Sequence, residues 1–287
     1  MRVSQCVGEI ITPLAIGGAL PRSLELRPAA IKGALRFWWR AINADLVLAE
    51  MKKVEGSIFG STAENQGKAK FSLQIPPRSL KQGNYSPVFQ KRGKGSIEAF
   101  IPGQKFTLVL RSGGDYRSHK MYENLLQLTL LLGGLGKRTR RGFGCIELQS
   151  MNGVKIPVAK TREDYLSRLQ TLLEACKPGC FSRRGNRIWS SNIFSGDYPW
   201  IKEIEIGRAY PNYPHLLAAI SQAAHGYDSH YTGFAGRIGR FASPIYVSVI
   251  RTGSQYRPLI TTLNTAFAPG YYARGKNTQS QFKGAIL

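Results

Sequence analysis

Residues 134–144 read Gly-Leu-Gly-Lys-Arg-Thr-Arg-Arg-Gly-Phe-Gly, so two glycine–hydrophobic–glycine pairs frame a five-residue segment carrying Lys137, Arg138, Arg140 and Arg141. Glycine admits positive φ and lets backbone N–H groups approach another group closely. Such a stretch is not the interior of a helix or of a strand. It follows a strongly apolar stretch, residues 122–132, that reads as a helix, and it precedes a β-rich stretch, residues 145–149. The chain must therefore pass from helix to strand through a cationic finger hinged on glycine. The finger is not a Walker A loop, because no Ser or Thr follows Gly136-Lys137 and the segment leaves a helix instead of entering one. It is not a dinucleotide fingerprint either, since Thr139 stands where the third glycine belongs. A helix C-cap glycine with cations on the helix dipole accounts for one glycine and two charges. The double framing points further, to contact with a polyphosphate backbone.

The remaining pattern sets the frame for that finger. Residues 3–11 are β-rich, and a Gly- and Pro-bearing loop follows over 12–27. A helix starts at Pro28, which is favoured at the first helical position and forces Arg27 out of the helical region. Ile31, Leu35, Trp38, Ile42 and Leu46 recur at helical spacing. Lys32, Arg36 and Arg40 lie four apart on a neighbouring face, where like charges repel and an anion alongside would stabilise them. Residues 58–75 read as a hairpin turning in 61–70, residues 76–95 as a mobile basic loop, and 105–111 as a strand. The order predicts an α+β fold with a ferredoxin-like (RRM-like) arrangement, an antiparallel sheet with helices on one face.

A second half repeats that order in degenerate form. Its elements are a helix over 162–175, a Gly/Cys/Arg-rich loop over 177–186, and strands over 188–194 and 200–207. A helix over 213–226, a second glycine loop over 233–239, and strands over 245–250 and 259–265 complete it. The tail from Ala268 reads as flexible. The boundary falls near 152–160, giving domains 1–155 and 156–287.

The 287 residues carry 40 Lys plus Arg against 17 Asp plus Glu, a formal charge of +23. In a folded chain that self-repulsion is ordinarily offset by a polyanionic partner. No apolar run reaches the roughly 18 residues of a membrane span, and Glu9, Pro13 and Gly17-Gly18 interrupt any signal-peptide core. The chain therefore reads as soluble and cytoplasmic, with no membrane partner. Cys6 and Cys145 are isolated, while Cys176 and Cys180 form C-x3-C without a histidine pair. They read as reduced thiols, and no metal or cofactor is expected.

The glycine-framed segment resembles the glycine-rich loop of the RAMP (repeat-associated mysterious protein) superfamily of CRISPR–Cas proteins. The run over 11–40, from Ile-Thr-Pro-Leu to Leu-Arg-Phe-Trp-Trp-Arg, is similar to the opening signature of the first subunits of Cmr (type III-B) RNA-guided effector complexes. Residues 240–245, Arg-Phe-Ala-Ser-Pro-Ile, resemble that family's second half, whereas 151–212 match no part of it. The resemblance implies tandem ferredoxin-like domains holding single-stranded RNA, guide or target or both, near the guide's 3′ end and beside other RAMP subunits. It also implies that target cleavage belongs to other subunits. Carried over by position, Arg27, Lys32, Arg36 and Arg40 become RNA- or partner-facing residues of the first helix. Lys137, Arg138, Arg140 and Arg141 become loop contacts, and joint replacement of the three arginines by Ala is expected to leave unfolding nearly unchanged.

Two features stay open between structure and binding. Trp38 belongs to the apolar stripe, and Trp39, about 100° round the helix, either stacks on a base or packs in the core. The second loop places Arg237 and Arg240 among glycines, as an anion contact or a plain turn. Some RAMP relatives cleave RNA without metal, using His, Tyr or Lys as acid and base. His230 beside Tyr231 is the best candidate for that alternative, a metal-independent endoribonuclease. His119, in a polar helix approach, is expected to be exposed. Asp115, Asp197 and Asp228 do not cluster into a two-metal site. A non-catalytic RNA-binding subunit is the favoured reading.

Overall fold

The computed structural model describes residues 1–18, 20, 23–63, 67–86, 95–191, 198–236, 239–268 and 270–287. In the first half, β1 (Arg2–Ile10) leads to α1 (Pro28–Ile42), α2 (Leu48–Phe59) and β2 (Phe71–Gln74). A small hairpin, β3 (Gln82–Tyr85) with β4 (Ile97–Phe100), precedes β5 (Lys105–Ser112), α3 (Tyr116–Leu132), β6 (Ile146–Met151) and β7 (Val154–Lys155). The sheet order β2-β5-β1-β6-β7 is that of the ferredoxin-like β-α-β-β-α-β unit. β1 is central, antiparallel to both β5 and β6, and its alternating burial marks a sheet with one packed face.

The second half runs α4 (Arg162–Cys176), β8 (Phe181–Arg184), β9 (Arg187–Ser190), β10 (Ile201–Ile206) and α5 (Tyr213–Gly226). It continues with the hairpin β11 (Phe234–Gly236) and β12 (Gly239–Phe241), then β13 (Ile245–Thr252), β14 (Gln255–Leu263) and α6 (Gln279–Gly284). Its sheet order is β13-β14-β10-β9-β8. That is the same ferredoxin-like order with the chain cut at a different point. β10 takes the place of the first strand, β13 and β14 the second and third, and β9, which precedes β10 in the chain, the fourth, while α4 packs on the face of the sheet opposite α5. The degeneracy of the second half is this rotation of the order.

This second sheet is buried on both faces. Tyr246, Ile250, Leu259 and Leu263 face a core shared with α1, α3, α4 and the first sheet. Ile245, Val247, Val249 and Ile260 face a second core under α5 and α6. The two halves are further joined by Arg251 of β13, which pairs with Glu9 of β1 at 2.9 Å and with Glu147 of β6.

Several elements differ from the sequence reading. α1 stops at Ile42 instead of running to Leu46, because Asn43 Nδ2 donates back to the Trp39 carbonyl (2.7 Å) and closes the last turn. Ile58 lies in α2, not in a hairpin, and of the turn placed over 61–70 residues 64–66 lie outside the described residues. Within 76–95, residues 82–85 form β3 and 87–94 lie outside the described residues. The segment 177–186 holds β8, joined to β9 by the two-residue turn Gly185-Asn186. The tail carries α6, whose Phe282 and nearby Ile286 are fully buried, while Lys283 pairs with Glu203 and Glu205 of β10.

His119 is buried, not exposed: Ser4 and Ser112 hydroxyls lie 2.7 Å from its Nε2 and Nδ1. Ser4 also donates to Glu123 (2.5 Å), which accepts from Lys120 (2.8 Å) and Asn152 (3.0 Å). Burial raises the Glu123 carboxyl, but the bonds from Lys120, Ser4 and Asn152 outweigh it and hold the group below the ordinary glutamate value. The stability it contributes is therefore complete above the unfolded value of 4.5 and lost as pH falls through the folded value. Glu123→Gln is expected to flatten the loss of stability as pH falls below the ordinary glutamate value of 4.5, read by urea unfolding at each pH. Phe282→Ala is expected to cost about 3–5 kcal/mol by the same assay, and no loss would mean that α6 is not docked.

Candidate RNA interface at the glycine-framed loop

α3 ends at Leu132, and the loop is folded back at once. Gly134 bridges Cys145, Leu135 N donates to Gly144 O (2.9 Å), and Lys137 N donates to Ala15 O (2.7 Å). Gly136 has φ +85°, and a Cβ there would lie 2.3 Å from the Ala15 carbonyl oxygen. Gly142, φ +82°, lies so close to α5 that a Cβ would meet Leu217 at 2.7 Å. The glycines thus serve close protein packing, where the sequence had suggested room for a ligand. The hydrophobic residue of each pair points into a different core: Leu135 into the shared one, Phe143 into the one under α5.

The four cations divide. Lys137 and Arg138 are exposed, Arg138 in the left-handed region at φ 58°. Arg140 and Arg141 turn inward. Arg140 Nη1 donates to Ser243 O (2.6 Å), and its guanidinium lies 5.5 Å from the Phe37 ring and 5.9 Å from the Tyr246 ring. Arg141 donates to the carbonyls of Arg140 (3.0 Å), Ile245 (3.2 Å) and Thr232 (3.0 Å) and sits 5.0 Å from the Phe282 ring. Burial, with Arg138 and Arg140 adding repulsion, pushes its pKa down to about 10. Hence it remains charged at neutral pH. Arg140 and Arg141 are structural ties to the second half, which overturns the expectation that all three loop arginines are dispensable for folding.

The helix-face cations also have protein partners. Arg36 Nε lies 2.9 Å from Glu55 Oε1, and Arg40 Nη1 donates to both Glu55 oxygens (2.9 and 3.1 Å). Arg36 further donates to Gly60 O (2.9 Å) and covers the Phe59 ring. The anion alongside this face is thus a carboxylate from α2, buried at 8% exposure. Lys32 is half-buried over Phe71, and burial, then Arg36, lowers its ammonium from the ordinary value. Arg27 is half-buried before α1, with its Nε unbonded among the described residues.

Trp39 is 6% exposed and packs edge-on against Phe59 (6.2 Å), so its ring is not available to stack on a base. The half-exposed aromatic of α1 is instead Phe37, which the sequence reading passed over. Its signal was the spacing Ala30, Ala34, Phe37, a helical stripe of two small residues and a ring. Arg240 is exposed on β12, and Arg237 lies outside the described residues. His230 Nδ1 accepts from Arg274 N (2.9 Å) and lies 2.7 Å from the Tyr271 hydroxyl, with the ring stacked on Phe234. Among the described residues no group of three His, Cys, Asp or Glu could hold a metal, and no helix is long and apolar enough to cross a membrane.

Two ferredoxin-like halves joined by a glycine-framed loop define a RAMP-type protein. The model of the RAMP superfamily matches residues 8–147. CRISPR system Cmr subunit Cmr1-2 of Pyrococcus furiosus is 31% identical over 178 residues, spanning 50% of this chain and 93% of that protein. Subunit Cmr1-1 of the same organism is 28% identical over 141 residues, 43% of this chain and 40% of that protein. The crystal structure of apo Cmr1 from Pyrococcus furiosus shares the fold over 100% of this chain and 96% of its own, with TM-score 0.69 and 20% identity. So does a chain in the cryo-EM structure of the type III-B Cmr-beta bound to cognate target RNA, over 99% of each, with TM-score 0.60 and 12% identity. The chain belongs to the RAMP superfamily, and within it to the Cmr1 family.

Arg141→Ala removes the donor to the Thr232 carbonyl, while Arg140 O and Ile245 O keep Val247 N and Ser243 Oγ, and is expected to cost about 1–3 kcal/mol, with a fall in Tm by calorimetry. A Tm equal to that of the parent would return Arg141 to the solvent-facing set.

Proposed function

We propose that this chain is a non-catalytic, RNA-binding subunit of a type III-B Cmr ribonucleoprotein in antiviral defence. In this reading residues 1–155 and 156–287 are its two domains. It works in the cytoplasm beside other RAMP subunits and contacts target RNA, guide RNA or both near the guide's 3′ end. One observation carries the reading: Lys137 and Arg138 project from a loop whose neighbours are pinned into two cores. The charge they present is held in place before any partner arrives, which lowers the ordering cost of binding. A formal charge of +23 supports a polyanionic ligand. A relative of the same fold occurs in a Cmr-beta complex bound to cognate target RNA.

The histidines support binding over cleavage. His119 is buried, His215 sits at the start of α5 and His225 in its last turn, and His230 is held by Tyr271 and Arg274.

Single-stranded RNA affinity is expected to fall steeply with salt, because phosphate contacts release counterions. Lys137→Ala with Arg138→Ala is expected to reduce the slope of log K against log salt by about 1.4, with Tm unchanged. A parent affinity independent of salt would sink the proposal. RNA fragments that appear with the parent chain and vanish with His230→Ala would establish the ribonuclease instead.

A further inference from the structure

A cavity of about 240 Å3 opens between α1, the glycine-framed loop and β13. Ala30 and Ala34 leave it empty on the helix side, Gly136 and Thr139 bound it on the loop side, and Phe37 and Tyr246 form its aromatic wall. The Phe37 ring meets Trp38 edge-on at 5.1 Å and lies 6.1 Å from Tyr246 at a tilt of 36°. Trp38 and Tyr246 are themselves buried, and Phe37 is half-buried, with the Arg140 guanidinium 5.5 Å from its ring and the rest of the ring lining the cavity. The Arg140 guanidinium borders the same space. Its partner among the described residues is Ser243 O, one acceptor for a group with five N–H donors. An aromatic wall, an alanine floor and a fixed guanidinium make a site for a flat, largely apolar ring that carries an acceptor on its edge. Drug-sized ligands fill roughly 300–1,000 Å3, so this space suits a single ring system.

We propose that this cavity receives one unstacked nucleobase of single-stranded RNA, laid against Phe37 with its acceptor edge toward Arg140. Unpaired RNA bases are recognised in this way, splayed out onto aromatic side chains or arginine planes. The position favours it over a protein side chain. The next residue after Gly136 is Lys137, which lines a second groove of about 610 Å3 with Gly17, Gly18, Ser23 and Asn84. A strand whose base enters the first cavity therefore crosses the exposed Lys137 and Arg138 with its phosphates as it leaves. The inference rests on the RNA-binding reading above and adds to it the subsite where a base, not a phosphate, is held.

The test uses the full-length chain and single-stranded RNA carrying 2-aminopurine at successive positions, with affinity read by anisotropy and stacking by quenching. Ala34→Leu fills the cavity without touching a charge. Phe37→Leu keeps its bulk and removes the ring. In the parent, one position is expected to be quenched more than its neighbours. Both variants are expected to bind roughly tenfold more weakly, to lose that quenching, and to retain the parent's salt slope and Tm. Phe37→Leu keeps the test open should Ala34→Leu lower Tm. Salt-dependent binding that both variants share at full strength would overturn the base site and leave the RNA-binding reading standing, with the cavity open to a neighbouring protein chain. A parent that binds no RNA would overturn both.

Discussion

Arg141 and Phe143 hold the two halves of this molecule in one arrangement. The guanidinium donates to carbonyls of Thr232 and Ile245 in the second half. Two residues later the Phe143 ring enters the core beneath α5. A cation removed from water so far remains tolerable only when its N–H groups find oxygen, and here they find three backbone carbonyls. Cys145 continues the tie. Its Sγ accepts from Val249 N (3.1 Å), and its N–H donates to Thr12 Oγ1 (2.9 Å). The loop that connects α3 to β6 is consequently a seam between two sheets.

The seam decides which of the chain's many cations remain available. Charge at residues 137–141 is contiguous in sequence but not in space, because a segment anchored through Arg140 and Arg141 must turn Lys137 and Arg138 outward. On α1 the same sorting is done by Glu55. Three cations spaced four apart repel, and one buried carboxylate facing Arg36 and Arg40 offsets that repulsion while fixing α2 against α1. The helix face read as an RNA contact is in large part a helix–helix contact. A high net charge therefore does not map onto a binding surface residue by residue.

The architecture was legible where local pattern and tertiary context agreed. β1, α1, β5, α4, α5 and the β13–β14 pair follow from local apolar patterning and, for α1, from Pro28 at its start. α2 was hidden because its buried stripe, Met51, Glu55, Phe59, contains a carboxylate whose partners lie fifteen and nineteen residues back. β8 was hidden by its arginines, although Gly185-Asn186 is a hairpin signal. α6 was hidden in a polar tail whose two anchors, Phe282 and Ile286, are spaced as one helical face. Of the site, the exposed pair Lys137 and Arg138 was legible, whereas the inward turn of Arg140 and Arg141 depends on carbonyls about a hundred residues away. That Trp39 is covered and Phe37 partly open was hidden for a related reason: both are aromatic, and the position of Phe59 beside Trp39 is not local to either.

Rigidity links these observations to function. Glycine-rich cationic segments are ordinarily mobile, and ordering one on binding costs conformational entropy for every residue fixed. Here that cost is met during folding, because Leu135 and Phe143 are buried on either side of the exposed tip. The same anchoring holds Arg140 between Phe37 and Tyr246, so the wall of the adjoining cavity is set by the fold and not by a ligand. Phosphate contacts position a strand but carry no sequence information, and the proposed base site in the adjoining recess would add a contact to one base. The glycines let two cores close around the loop and leave Lys137 and Arg138 at its exposed tip.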